Sequence, residues 1–111
     1  MKRVIYKKVI NENKENRTEF LLINFDYEDG NDYLAKIFNK EFNMKVEEKK
    51  YYIWFSIIKL CKKTTCYELL WHEDIGNIIY SLEQDEDTVN ELELRLQKVL
   101  DVLNIKILES N

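Results

Sequence analysis

The sequence predicts an α+β fold: an antiparallel sheet with two helices packed on one of its faces, in the order β-β-α-β-β-β-α-β. Three observations carry this. Residues 51–82 hold three apolar runs separated by short turns, rich in the aromatic and β-branched residues that suit a pleated surface. Two other segments repeat apolar residues at helical steps: Leu34, Ile37, Phe38 and Phe42, then Val89, Leu92, Leu96, Val99, Leu100 and Leu103. Finally, 111 residues that are 45 % apolar, with charges dispersed among apolar runs, suffice for one core and are too few for two domains.

Residues 3–10 read as a strand that Lys7 and Lys8 would blunt at a sheet edge. After a polar loop, residues 18–27 form a second strand with Leu21, Ile23, Phe25 and Tyr27 on one face, and the two pair as a hairpin. Glu28-Asp29-Gly30 is a turn, and Asn31 or Asp32 then caps a helix that runs to about Phe42, its side-chain oxygen taking an otherwise unpaired backbone N–H. Residues 44–50 are a charged lead-in to a central strand at 51–60.

The loop Lys62-Lys63-Thr64-Thr65 lacks the Asn-Gly or Gly-X pair of two-residue turns, so a four-residue loop is expected. That sets Cys61 opposite Cys66, Lys59 opposite Glu68, Ile57 opposite Leu70, Leu60 opposite Tyr67 and Ile58 opposite Leu69. Opposite charges at Lys59 and Glu68 favour this register. The turn Glu73-Asp74-Ile75-Gly76 then sets Trp71 opposite Ile78, Leu69 opposite Tyr80 and Tyr67 opposite Leu82. One continuous apolar face results, including Trp54, Ile58, Leu60, Trp71 and Leu82; a one-residue slip would bury Asn77 and Ser81 instead.

Thr88-x-x-Glu91 fits a capping box at the start of the second helix. Asn104 is placed to stop that helix in a left-handed conformation, leaving residues 105–108 as a short closing strand or a packed tail.

Several chemistries lack support. His72, the one histidine, lies beside Glu73 and Asp74 without a second ligand or a nucleophile at a diagnostic spacing, and reads as an exposed strand-end residue. Cys61 and Cys66 are not a C-x-x-C pair and have no second pair to complete a zinc site, and directly opposed strand positions are a strained place for a disulfide. Two free structural thiols are expected, with no metal and no cofactor. Asp26, Glu28, Asp29 and Asp32 resemble a calcium loop only superficially, since the glycine and the terminal glutamate are misplaced. With only Gly30 and Gly76, no phosphate-binding glycine loop can be built. Tyr51, Tyr52, Trp54 and Phe55 are expected in the core, and net charge −4 opposes phosphate binding, so no nucleic-acid partner is expected.

The first ten residues never give the roughly 7–15-residue apolar core of a signal peptide, and no stretch approaches the about 18 apolar residues of a membrane span. A cytoplasmic protein without a membrane partner is expected, and heavy use of Lys, Asn, Ile and Glu with no proline points to an AT-rich bacterial or phage genome.

Charge distribution is the most informative feature. Residues 73–111 carry ten acidic and three basic side chains, and Glu83, Asp85, Glu86, Asp87, Glu91 and Glu93 cluster at the start of the last helix. Capping and the helix dipole use some of them; the excess suits a basic protein partner. The expected function is a small acidic, non-enzymatic protein-binding domain, an immunity or inhibitor protein that masks a basic toxin or nuclease. The alternative is a small-ligand-binding or regulatory domain with a pocket between sheet and helices, which a large cavity lined by Tyr67, Trp71 and Tyr80 would favour.

Overall fold

Alternation in the strands and helical periodicity elsewhere produce the two-layer α+β architecture. The computed structural model describes residues 2–109. Strands β1 (Ile5–Asn11), β2 (Arg17–Ile23), β3 (Lys45–Tyr51), β4 (Phe55–Lys62), β5 (Thr65–His72) and β6 (Gly76–Ser81) form one antiparallel sheet in the order β1-β2-β6-β5-β4-β3. Helices α1 (Gly30–Phe42) and α2 (Glu86–Glu109) pack on each other and on one face of it. Phe20, Ile58, Leu60, Tyr67, Leu69 and Ile79 supply the sheet side of the core; Leu34, Phe38, Leu92, Leu96 and Val99 supply the helix side. The other face of the sheet carries no helix.

The first two strands pair as the expected hairpin, although β2 ends at Ile23 and leaves Phe25 and Tyr27 outside it, and the β4–β5 register matches expectation residue for residue, from Lys59↔Glu68 to Cys61↔Cys66. The loop between β4 and β5 is shorter than expected, because Lys62 pairs with Thr65 and only two residues turn, with Lys63 at φ 56°. On β2 the core face is Phe20 and Leu22, and Leu21 and Ile23 are only partly buried on the opposite one.

Further expectations are corrected. Residues 45–51 are an edge strand rather than a lead-in, and the chain turns at Tyr52–Trp54 instead of running straight through residues 51–60. An edge strand with both faces wet needs no apolar alternation, so KVEEKKY gives no strand pattern, and its charges blunt the edge.

The β5–β6 register is shifted by one residue: Trp71 faces Asn77, Leu69 faces Ile79 and Tyr67 faces Ser81. His72 pairs with Gly76, so the loop is three residues, and Gly76 takes φ 100°, where a side chain would be strained. Asn77 and Ser81 are accordingly buried, at 0 % and 1 % exposure, while Leu82 is exposed.

α2 continues through Asn104 to Glu109, and no closing strand forms. Asn104 is turned inward, where its amide bonds the backbone of Val4. Asn31 is also buried and does not cap α1; the N-cap is Asp29, without a side-chain bond. Gly30 lets Phe25 cover the helix start, since a Cβ there would lie 2.6 Å from the Phe25 ring.

Finally, Cys61 and Cys66 form a disulfide rather than two free thiols, their Cα atoms 4.2 Å apart across the β4–β5 hairpin. Close cross-strand pairing brings the two sulfurs together next to the turn. No helix among the described residues is long and apolar enough to cross a membrane.

Candidate interaction surface

β3 and β4 pair until Tyr51↔Ser56, and the Tyr52 N–H then donates to the Phe55 carbonyl at 2.8 Å. Ile53 and Trp54 are left at the corner, 85 % and 61 % exposed, with Tyr51 and Tyr52 exposed beside them. Tyr52 stacks on Phe55, ring centroids 4.4 Å apart. The corner is held in place, since the Trp54 carbonyl accepts the Glu73 N–H at 2.9 Å. Exposed contiguous apolar residues are candidates for an interaction surface, and Trp and Tyr are among the residues that most often anchor one.

Carboxylates lie at the same end of the sheet as the corner, because the ends of β2 and β5 and the start of α1 converge there. Asp26 accepts the Trp71 indole N–H at 3.2 Å. Asp32 accepts from Lys49 at 2.6 Å and from the Tyr51 hydroxyl at 3.5 Å, and this bond to Asp32 holds the Lys49 ammonium pKa above its ordinary value. Glu73 and Asp74 form the neighbouring turn, whose backbone the His72 Nδ1 caps by accepting the Asp74 N–H at 3.1 Å. That bond gives His72 a structural place at the strand end.

Lys49 and Lys50 are engaged by Asp32 and Glu48. None of the salt bridges among the described residues engages Asp26, Glu28, Asp29, Glu73 or Asp74. Lys106 lies over the ring of Tyr33, 5.5 Å from its centroid.

The acidic cluster expected from the sequence lies at the opposite end of the sheet. There the Thr18 N–H donates to Gln84 and the Leu82 N–H to the Cys66 carbonyl, bringing the chain before α2 against the starts of β2 and β5. Three of the six carboxylates have partners within the fold. Asp85 caps α2, accepting the Thr88 N–H at 3.1 Å and its hydroxyl at 2.9 Å; these bonds hold its carboxyl below the ordinary aspartate pKa. Thr88 is therefore inside the helix and not its cap.

Glu91 pairs with Arg95 at 2.6 Å. Glu93 accepts from Tyr6 at 2.7 Å and Lys8 at 3.3 Å, tying α2 to β1. Burial and then this carboxylate push the Tyr6 hydroxyl pKa up. Glu83, Glu86 and Asp87 remain exposed, without hydrogen bonds or ion pairs among the described residues.

A ligand cavity lined jointly by Tyr67, Trp71 and Tyr80 is ruled out by the register, because Tyr67 and Trp71 lie on the helix face and Tyr80 on the open one. Tyr67 is fully buried, edge-on to Phe38 and hydrogen-bonded to Arg95. On the open face Tyr80 donates to Glu68 at 2.6 Å beneath the Arg17 guanidinium, and burial and then this bond raise its pKa.

No protein-family model matches the chain, and neither a curated protein nor a solved structure matches it. Sequence reasoning missed the aromatic corner because Tyr51–Phe55 continues into a buried strand without a glycine or proline to mark a turn. The usable signal was the charged run before it: once residues 45–51 are an edge strand, the residues that follow must reverse direction.

Proposed function

We propose that this protein is a non-enzymatic protein-binding domain of the cytoplasm, that its partner is a basic protein, and that the corner at residues 51–55 is its anchor. The observation that carries the reading is the exposure of Tyr51, Tyr52, Ile53 and Trp54 on a rim of the sheet that also carries Asp26, Asp32, Glu73 and Asp74. Aromatic faces attract Lys and Arg side chains, and the carboxylates add charge pairing that selects for them. The same rim disfavours a phosphate backbone.

Net charge −4 on a small domain fits an immunity or inhibitor protein that masks a basic toxin or nuclease. The exposed Glu83, Glu86 and Asp87 belong to the field that draws such a partner in.

The test is affinity capture with the wild-type protein and with Tyr52→Ala/Trp54→Ala in parallel, followed by identification and titration of the captured protein. A basic protein bound by the wild type and lost by the variant supports the reading. An acidic partner, or one that the variant retains, overturns it.

A further inference from the structure

The disulfide end of the open sheet face carries a second grouping, separate from the aromatic corner. We propose that the reduced Cys61–Cys66 pair, completed by Glu47, is a binding site for a zinc-class divalent cation, which the disulfide closes.

Both sulfurs and a carboxylate oxygen of Glu47 lie within 4.8 Å of one another. Donors around one zinc ion are at most about twice the roughly 2.3 Å Zn–S bond apart, so small side-chain rotations bring all three onto one ion. The backbone explains how Glu47 gets there. β3 shifts register between Val46 and Glu48, which leaves Glu47 outside the regular pairing with β4. Such a bulge re-aims a side chain, and the Glu47 carboxylate lies beside Lys59, 3.4 Å from its ammonium and next to the cysteine pair.

The donor set selects the ion. Two thiolates and one carboxylate suit a borderline-soft cation such as zinc over magnesium or calcium, and three protein ligands leave a fourth position for water. Glu47 is exposed and Cys66 partly so, which gives a path in from solvent.

Opening the site needs a dithiol reductant. Thiol–disulfide exchange breaks the Sγ–Sγ bond, the reductant becomes its own disulfide, and two protons end on Cys61 and Cys66. The cation then displaces those protons and takes the Glu47 carboxylate from Lys59. Exchange with an oxidised dithiol re-forms the Sγ–Sγ bond, reduces that reagent's own disulfide to two thiols and expels the ion. This reading stands independently of the protein-binding one.

The experiment titrates cobalt(II), as a spectroscopic probe, into protein reduced with a phosphine, with far-UV circular dichroism reporting the fold. Reduced wild type is expected to take up one ion with thiolate-to-cobalt absorption that zinc abolishes by displacement, and the oxidised protein to take up none. Cys66→Ser should lose the absorption. Glu47→Gln, in an exposed edge strand, should weaken binding by at least the about 10-fold that loss of even an outer-shell partner costs. A folded reduced protein without the absorption, a reduced protein that unfolds, or a Glu47→Gln variant that binds like wild type each overturns the proposal.

Discussion

Asn77 and Asn104 are amides buried at positions where an alternating or helical pattern asks for carbon. Each is kept there by saturating its hydrogen bonds, since an unpaired buried polar group costs more than a made bond returns. Asn77 donates to Asn31 at 3.0 Å and to the Tyr27 carbonyl at 3.3 Å, and accepts the Tyr27 N–H. Asn104 accepts the Val4 N–H at 2.8 Å and donates to its carbonyl at 3.0 Å. Nothing in a single sequence distinguishes an inward asparagine from one that ends a helix, which is why Asn104 reads as a stop. Asn104→Leu, similar in volume but unable to pair, should cost on the order of 2 kcal/mol in chemical denaturation, because it strands both Val4 groups. A loss below about 0.5 kcal/mol would show that residues before β1 do not dock on α2. Burial separates the two large aromatics that β5 turns to the helix face. Tyr67→Ala should lose about 3–5 kcal/mol, as for a fully buried aromatic, and Trp71→Ala, half-buried at the sheet end, clearly less. Equal losses would return Trp71 to the core.

At the scale of the element, what was readable was whatever the core enforces. The β4–β5 register follows from the apolar face and the Lys59–Glu68 pair, and α1 ends at Phe42 with Asn43 in the left-handed conformation. What was not readable depended on a one-residue choice of loop or cap. A three-residue rather than four-residue loop flips β6, exchanging Ile78 and Tyr80 for Asn77, Ile79 and Ser81 on the helix face. The start of α2 is similar, since Asp85 and Thr88 both suit an N-cap and Asp85 takes the role: its carbonyl accepts the Val89 N–H at 3.0 Å, the first bond of the helix. The carboxylate form makes the capping bonds, so the folded pKa lies below the unfolded one. Its stabilisation is therefore complete above the unfolded value and disappears as pH falls through the folded one. Thermal melts of wild type and Asp85→Ala should differ at pH 7 and converge below the ordinary aspartate value of about 3.9. A difference that stays constant into that acid range would assign the cap to another group.

Across the whole molecule, the proposed function gives the two ends of the sheet different parts in binding. The fold class was legible because both layers must bury a face. A recognition surface leaves no such periodic trace, and the one visible hint, the acid-rich start of α2, is half used internally by Asp85, Glu91 and Glu93. Glu83, Glu86 and Asp87 are left to act at a distance, and exposed charges of that kind govern how fast a partner arrives. On the proposed function the aromatic corner acts at contact, where buried anchors govern how long a partner stays. These roles separate in kinetics measured on the captured partner. Glu83→Gln, Glu86→Gln and Asp87→Asn together take the net charge from −4 to −1. They should slow association at low salt and flatten its salt dependence, which arises as the screening length shortens from about 10 Å at 0.1 M to about 3 Å at 1 M. Dissociation should not change. Ile53→Ser with Trp54→Ala should do the reverse, raising the dissociation rate by at least about tenfold, the equivalent of 1.4 kcal/mol, while association and its salt dependence stay near wild type. Unaltered dissociation in the corner variant would move the anchor elsewhere on the molecule, and unaltered association in the charge variant would return the start of α2 to an ordinary solvated helix end.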